Sequence, residues 1–293
     1  MSNKNFKLTP PPSRQGIYPV KIINGLKDII DSFDTFILDQ WGVLHNGGDA
    51  FPEAIKALKF LKAHNKKVVI LSNSGNTGTF SYARLQDSGI SRDLYLDVLT
   101  SGDHMRHNFT SGKFKQLGQR ALYFSWDNNN SVLGDCGLSE STADDASFVL
   151  CCGVDRGSVD AYLDDLKLAY QNNLELVVSN PDLVAMQPDG TLKTCPGAIA
   201  SAYQEMGGVV HWHGKPQQKI YKMCKELVGG WVNAVAVGDS LEHDIAGANG
   251  ADISSLLITS GIHAKALSDE KSIKILCHEY SVQPSFYVDW FKK

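Results

Sequence analysis

Ile37-Leu38-Asp39-Gln40-Trp41-Gly42-Val43-Leu44 decides the fold class of this chain. It closes a short apolar run, Thr35–Leu38, with a carboxylate, and a glycine follows within a turn. An apolar run of this length bounded by turn residues reads as a buried strand, and Asp39 stands at its carboxyl end. The same grammar recurs along the chain. Lys67–Leu71 is followed by Ser72-Asn73-Ser74-Gly75-Asn76, Val209–Trp212 by His213-Gly214-Lys215-Pro216, and Ala234–Val237 by Gly238-Asp239-Ser240, with Asp244 further on. Between these runs lie stretches with apolar residues at helical spacing. Examples are Phe51–His64, with Pro52 in its first turn, Thr79–Asp87, stopped by Gly89, Ser158–Tyr170 and Ile220–Leu227. Further strand candidates are Ala121–Phe124, Phe148–Leu150, Leu176–Val178 and Leu256–Ile258. Strands alternating with helices predict an α/β fold with a mainly parallel sheet.

Ligands of open parallel sheets bind at the carboxyl ends of strands. Four such ends here present Asp39, Ser72, Lys215, and Asp239 with Asp244. Together these carboxylates, a hydroxyl and an ammonium are an inventory for Mg²⁺-assisted phosphoryl transfer, because hard cations take oxygen ligands and a cation offsets phosphoryl charge. A strand-end Asp is equally a helix cap, and a Lys before Pro is ordinarily a solvated surface residue. The weight lies in their joint occurrence, in this order.

Length and composition agree with such a protein. The chain has 293 residues, 43% hydrophobic and 20% charged, enough for one large or two modest domains with real cores. A formal net charge of -4 gives no broad electrostatic footprint for nucleic acid or an anionic membrane. The six cysteines are scattered and include no CxxC pair, so no disulfide framework is expected, and the adjacent Cys151 and Cys152 read as buried thiols. Met1–Gln15 is polar and proline-rich without the apolar stretch of a signal peptide, and no apolar run approaches the roughly 20 residues of a membrane span. A cytoplasmic location is the resulting expectation.

The motifs ILDQWGVL, LSNSGN, GKP with a following helix, and GDSLEHDIAGA resemble those of the haloacid dehalogenase superfamily, in the same order, from Phe36 to about Ile258. The closer resemblance is to subclass IIA, which includes N-acetylglucosamine-operon, para-nitrophenyl, phosphoglycolate and pyridoxal phosphate phosphatases. It rests on the gap between Ser72 and Lys215 and on Val178-Ser179-Asn180-Pro181-Asp182 and Cys195-Pro196-Gly197-Ala198 within it. The resemblance implies a Rossmann-like core over 1–88 and 209–293 with an inserted α/β cap over 89–208. It implies a Mg²⁺-dependent phosphatase acting on a small phosphorylated metabolite such as a sugar phosphate, through an aspartyl phosphate on Asp39. Mg²⁺ would be held by Asp39, the backbone carbonyl of Trp41, Asp239 and Asp244. Ser72 and Asn73 would hold phosphate oxygens, Lys215 would offset charge on nucleophile and phosphoryl group, and Asn180 and Asp182 of the cap would face the substrate. A homodimer through the cap is also compatible with the resemblance.

One position departs from the family pattern. The phosphatases carry a second Asp two residues after the nucleophile, as general acid and then base, and this chain has Trp41. Two readings follow: a phosphatase with weakened or altered acid–base chemistry, or a protein that binds or senses a phosphometabolite without turning it over. His45 is a candidate stand-in proton carrier. His211 and His213 are a candidate H-x-H metal pair, and His213 is also a candidate for the Lys215 site.

Overall fold

The computed structural model describes residues 20–186, 191–267 and 269–293. The polar, proline-rich Met1–Gln15 lies outside them. In chain order the strands are β1 (Lys21–Ile22), β2 (Thr35–Leu38), β3 (Lys67–Ser72), β4 (Asp97–Thr100), β5 (Arg120–Phe124), β6 (Ser139–Glu140), β7 (Phe148–Cys151), β8 (Leu176–Val178), β9 (Val184–Met186), β10 (Leu192–Thr194), β11 (Val210–His211), β12 (Ala234–Gly238), β13 (Ser254–Ile258) and β14 (Phe286–Val288). The chain forms two compact units. Among the described residues the first comprises those within 20–72, 78–99 and 215–293, the second those within 73–77 and 100–214.

The first unit is built on a seven-stranded sheet in the order β1-β14-β13-β12-β2-β3-β4. β12 pairs in parallel with both β2 and β13, and β2 with β3. Side chains alternate across a strand, and both faces of this sheet are covered. Phe36, Leu38, Ile70, Val235 and Val237 pack with Leu58 and Leu61 of the helix Pro52–Ala63. Ile37, Val69, Leu71 and Ala236 pack with Ile220, Tyr221 and Cys224 of the helix Gln218–Leu227. Two-sided burial is why these strands read as unbroken apolar runs rather than alternating ones.

The second unit has its own parallel sheet, β11-β8-β7-β5-β6, and a β9–β10 antiparallel hairpin. One face carries Leu122, Phe124, Val149 and Cys151 against Tyr162, Leu166 and Tyr203. The other carries Tyr123, Leu150 and Cys152 against Met105, Val132 and Leu133. Cys151 and Cys152 are thus buried thiols, as expected, on opposite faces.

The unit boundaries differ from the expected 89–208. Gly89–Leu99 stays with the first unit because it leads into β4, the sheet neighbour of β3. Residues 73–77 belong to the second, where the Gly102 N–H donates to Ser74 O at 3.0 Å and Thr100 Oγ1 to Asn76 O at 2.6 Å. The expected strand Val209–Trp212 shrinks to Val210–His211 and pairs with β8, not with the first sheet. Lys215 therefore does not end a strand of the sheet that carries Asp39. Among the described residues no helix is long and apolar enough to cross a membrane.

Candidate active site

β2 and β12 are neighbours in register, with Leu38 opposite Val237, so their carboxyl ends coincide. Asp39 follows the first and Asp239 the second, and the Asp39 N–H donates to Val237 O at 2.8 Å. Asp244 arrives from a π-helical turn, Leu241–Ile245, capped by Ser240 Oγ, which accepts from the His243 N–H at 3.2 Å. Its carboxylate folds back to accept the Ser240 N–H at 3.1 Å. A π-turn admits an extra residue per turn and is often found at functional positions. One oxygen from each of Asp39, Asp239 and Asp244 lies within 4.8 Å of the others. Lys215 Nζ donates to Asp39 Oδ1 and, at 2.7 Å, to Asp244 Oδ1. Asp239 Oδ2 accepts the Ile262 N–H at 2.8 Å.

All four side chains are withdrawn from water, with 9, 3, 6 and 3% of the surface of Asp39, Lys215, Asp239 and Asp244 exposed. Three carboxylates thus share a buried site with the Lys215 ammonium. Burial drives the Asp39 carboxyl well above the ordinary range, although Lys215 pulls it down. Burial, with the charge of Asp244 beside it, lifts Asp239 to about 7. Burial alone would lower Lys215, but Asp244 and Asp39 reverse that and hold it charged. Three buried carboxylates that share a single ammonium and present oxygens to one point fit a hard divalent cation. Among the described residues this is the one grouping of at least three such ligands.

The loop after Asp39 closes on itself, with the Gly42 N–H donating to His45 O at 2.8 Å and the Leu44 N–H to Gln40 O at 2.9 Å. Gly42 has φ 84°, and a Cβ there would overlap Asp239 Oδ2. The backbone beside Trp41 therefore rests on a carboxylate of the cluster, an approach that only glycine permits. The indole itself packs over Gly47, where a Cβ would overlap its ring, and meets His45 edge-on at 5.5 Å between centroids. His45 is buried, its nitrogens contact Gln40 at 3.0 Å and the Gly47 N–H at 2.9 Å, and burial with the charge of Arg84 lowers its pKa to about 4. It is a neutral strut of the loop at physiological pH, which does not favour it as a proton carrier.

Comparison with known proteins adds the decisive observation. The haloacid dehalogenase-like hydrolase model matches residues 36–139, and a second model of HAD-hydrolase-like proteins matches residues 212–289. The chain belongs to the haloacid dehalogenase superfamily. A 4-nitrophenylphosphatase of Schizosaccharomyces pombe is 23% identical over 91% of this chain and 95% of its own. A haloacid dehalogenase-like hydrolase from Brucella suis 1330 superposes with a TM-score of 0.80 at 25% identity, covering 92% of this chain and 99% of that one. A dihydroxyacetone phosphatase of Corynebacterium glutamicum is 21% identical over 87% of this chain and 88% of its own. A glycerol phosphate phosphatase from Mycobacterium tuberculosis, solved with magnesium, shares the fold with a TM-score of 0.68 at 21% identity over 90% and 77% of the chains.

In this haloacid dehalogenase chain, the first unit brings together Asp39, Lys215, Asp239 and Asp244 and the backbone beside Trp41. Ser72 is buried at the end of β3, two strands from β12. Asn73, Asn180 and Asp182 form a relay within the second unit. Asn73 Nδ2 donates to Asp182 Oδ1 at 2.8 Å, and the Asp182 N–H to Asn180 Oδ1 at 2.8 Å. The H-x-H pair does not form a metal site. His211 Nε2 meets Glu175 Oε2 at 2.5 Å. His213 lies past the strand, held by Val178 O and Asn108 Nδ2, each at 2.9 Å, with its pKa lowered to about 3, chiefly by burial. Sequence reasoning missed Tyr221, whose hydroxyl reaches Asp244 O at 3.4 Å, because at helical spacing beside Ile220 it reads as core.

Proposed function

We propose that this chain, a phosphoric monoester hydrolase of the haloacid dehalogenase type, is a Mg²⁺-dependent phosphatase of a small phosphorylated metabolite with Asp39 as nucleophile. The observation that carries the reading is the Lys215 ammonium, seated on Asp39 and Asp244 inside a cluster of three buried carboxylates. Asp39, Asp239, Asp244 and the Trp41 carbonyl would hold Mg²⁺, which when bound supplies positive charge to the phosphoryl oxygens.

In the first step an Asp39 oxygen attacks phosphorus, the P–O ester bond breaks, and the alcohol oxygen departs with the bonding electrons. Lys215 offsets charge on nucleophile and phosphoryl group throughout. The Ser72 hydroxyl holds a phosphoryl oxygen; within the second unit Asp182 fixes the Asn73 side chain, with Asn180 as its support. Water then cleaves the aspartyl phosphate and returns Asp39. Trp41 supplies no proton to the departing oxygen and draws none from the water, so both steps depend on the leaving group and on solvent. A panel of aryl, acyl and alkyl phosphates, assayed with Mg²⁺ and with chelator, tests this. Mg²⁺-dependent phosphate release is expected, fastest for aryl and acyl esters. Tight binding of a panel member with no release from any would favour the non-catalytic reading.

The cation site has its own test. Asp239 carries a folded pKa of about 7 against an ordinary 3.8, so it binds its proton more tightly folded than unfolded. Its contribution to metal-free stability is present below about pH 4 and is lost as pH rises to about 7. Mg²⁺ needs the ionised carboxylate, so the rise in melting temperature it produces is expected to be larger at pH 8 than at pH 5.5. Asp239→Asn is expected to weaken Mg²⁺ binding by about 10-fold or more in calorimetry, since a hard cation loses an anionic ligand. Equal Mg²⁺ stabilisation at both pH values, or unchanged affinity in the variant, would place the cation elsewhere.

A further inference from the structure

A cavity of about 370 Å³ lies within the first unit, at the β1 edge of its sheet. Its lining includes no member of the Asp39 cluster. Parallel sheets take ligands in crevices outside the carboxyl ends of their strands, and the strand register shows how this crevice forms. Ile22 of β1 stands opposite Tyr287 of β14, which stands opposite Leu257 of β13. Side chains two residues apart share a face of a sheet. Asn24, Asp289 and Thr259, each two residues further on, therefore add a polar row toward the carboxyl ends, and all three line the cavity. Tyr287 is covered by Leu267 and by Ile273 of the helix Glu270–Glu279. That cover does not extend over the edge strand, where Ile22 is 64% exposed.

One polar group in the wall lacks a partner. Tyr287 is 8% exposed, and its hydroxyl meets no hydrogen-bond partner among the described residues. Buried hydroxyls are nearly always bonded, and an unbonded one carries a desolvation cost that a ligand can relieve. Burial, helped by the charge of Glu270 and opposed by Lys274, pushes its pKa up, so the hydroxyl is neutral and Glu270 stands near it.

The charges around the cavity are unequal. Asp269, Glu270, Asp289 and Lys292 line it. Lys292 pairs with Asp289 at 2.6 Å, and Lys274, outside the lining, pairs with Glu270 at 2.6 Å. Asp28, also outside, accepts the Asn24 N–H at 2.8 Å. Asp269 caps the helix by accepting the Ser272 N–H at 2.7 Å, which sets a carboxylate where the helix dipole would otherwise favour an anion. Four carboxylates thus stand against two ammoniums, beside the apolar side chains of Ile22, Leu267 and Ile273. Negative charge over an apolar floor selects a cation on an apolar body. Size narrows the choice. A cavity of about 150 Å³ accepts benzene, with six non-hydrogen atoms, so this one has room for about a dozen.

We propose that this cavity binds a primary arylalkylamine of about a dozen non-hydrogen atoms. Its ammonium donates to the Tyr287 hydroxyl oxygen and to the Glu270 and Asp289 carboxylates, and its ring lies against Ile22, Leu267 and Ile273. The proposal does not rest on the phosphatase reading.

The test compares tryptamine with two analogues of similar size, neutral tryptophol and anionic indole-3-acetate, by ligand-observed NMR on the full-length protein. Tryptamine is expected to bind with a dissociation constant on the order of 0.1–1 mM, as suits a ligand of this size. Tryptophol should bind about 10-fold more weakly, and indole-3-acetate not at all. Tyr287→Phe is expected to weaken tryptamine about 5-fold and to melt no lower than the wild type, because it removes a buried hydroxyl without a partner. A hydroxyl that served the fold alone would not separate those two readouts. Ile22→Lys sets an ammonium at the exposed edge and should abolish binding without changing the melt. Asp39→Asn should bind tryptamine as the wild type does. Absence of tryptamine binding, equal binding of either analogue, or unchanged affinity in Tyr287→Phe or Ile22→Lys overturns the proposal. Loss of binding in Asp39→Asn would place the amine in the carboxylate cluster and overturn it too. Light scattering covers the remaining occupant: a dimer that Ile22→Lys dissociates would give the cavity to a second copy of the chain and overturn the assignment to an amine.

Discussion

Asp39→Asn is expected to abolish phosphate release, lowering kcat by about 10⁴-fold or more, as loss of a covalent nucleophile does. The carboxamide is close to the carboxylate in shape but is far too weak a nucleophile to attack phosphorus. The variant is also expected to remain folded. Lys215 keeps its bond to Asp244 at 2.7 Å, and a buried site with three carboxylates loses one of them. Since burial already drives Asp39 toward its neutral form, the neutral isostere removes strain from the metal-free protein. Its melting temperature without Mg²⁺ is expected to equal or exceed that of the wild type. Retained turnover in this variant would remove Asp39 from the chemistry. A collapse in stability would show that the Asp39–Lys215 pair is needed for folding.

Trp41→Asp is expected to accelerate hydrolysis of alkyl phosphates by about 10²–10⁴-fold, the range of general acid–base assistance. An alkoxide needs a proton as it departs, and a carboxylic acid two residues after Asp39 would supply it. Aryl and acyl phosphates, whose leaving groups need that proton less, should gain far less. The substitution removes an indole that covers Gly47 and meets His45 edge-on. Loss of that half-buried ring is expected to cost about 1–3 kcal/mol. Steady-state kinetics on paired alkyl and aryl esters, with a thermal melt of the same preparation, separates the two effects. A folded variant slower than wild type on every ester would mean that Trp41 serves the reaction in its own right.

Much of this site was legible in the chain itself, because strand-end carboxylates are local signals. Asp39 and Asp239 each follow an apolar run directly, and pairing of β2 with β12 was all that was needed to bring them together. Lys215 was found by its motif, but the strand assigned to it belongs to the other sheet, where Val210 and His211 pair with Leu176 and Val177. Two-residue pairings such as this one, and the edge strand β1, carry too little sequence pattern to be seen. The boundary at residues 73–77 was invisible for a related reason. Its contacts, through Thr100 and Gly102, are between segments that show no local pattern linking them. The turn after Trp126 carries no pattern of its own in the sequence, since the left-handed backbone of Asp127 and Asn128 and the clamp from Asp155 exist only in three dimensions.

The most direct measurement of the central claim is to trap the intermediate. Wild-type protein is mixed with Mg²⁺ and an aryl or acyl phosphate, quenched in acid within the first turnover, digested, and analysed by mass spectrometry. Trp41 provides no base to speed hydrolysis of the acyl phosphate, so the intermediate should accumulate. The peptide carrying Asp39 is expected to gain the mass of one phosphoryl group, removable by hydroxylamine and absent from Asp39→Asn. Phosphate release with no phosphorylated Asp39 at any quench time, or a hydroxylamine-sensitive phosphoryl group on another residue, would contradict the account.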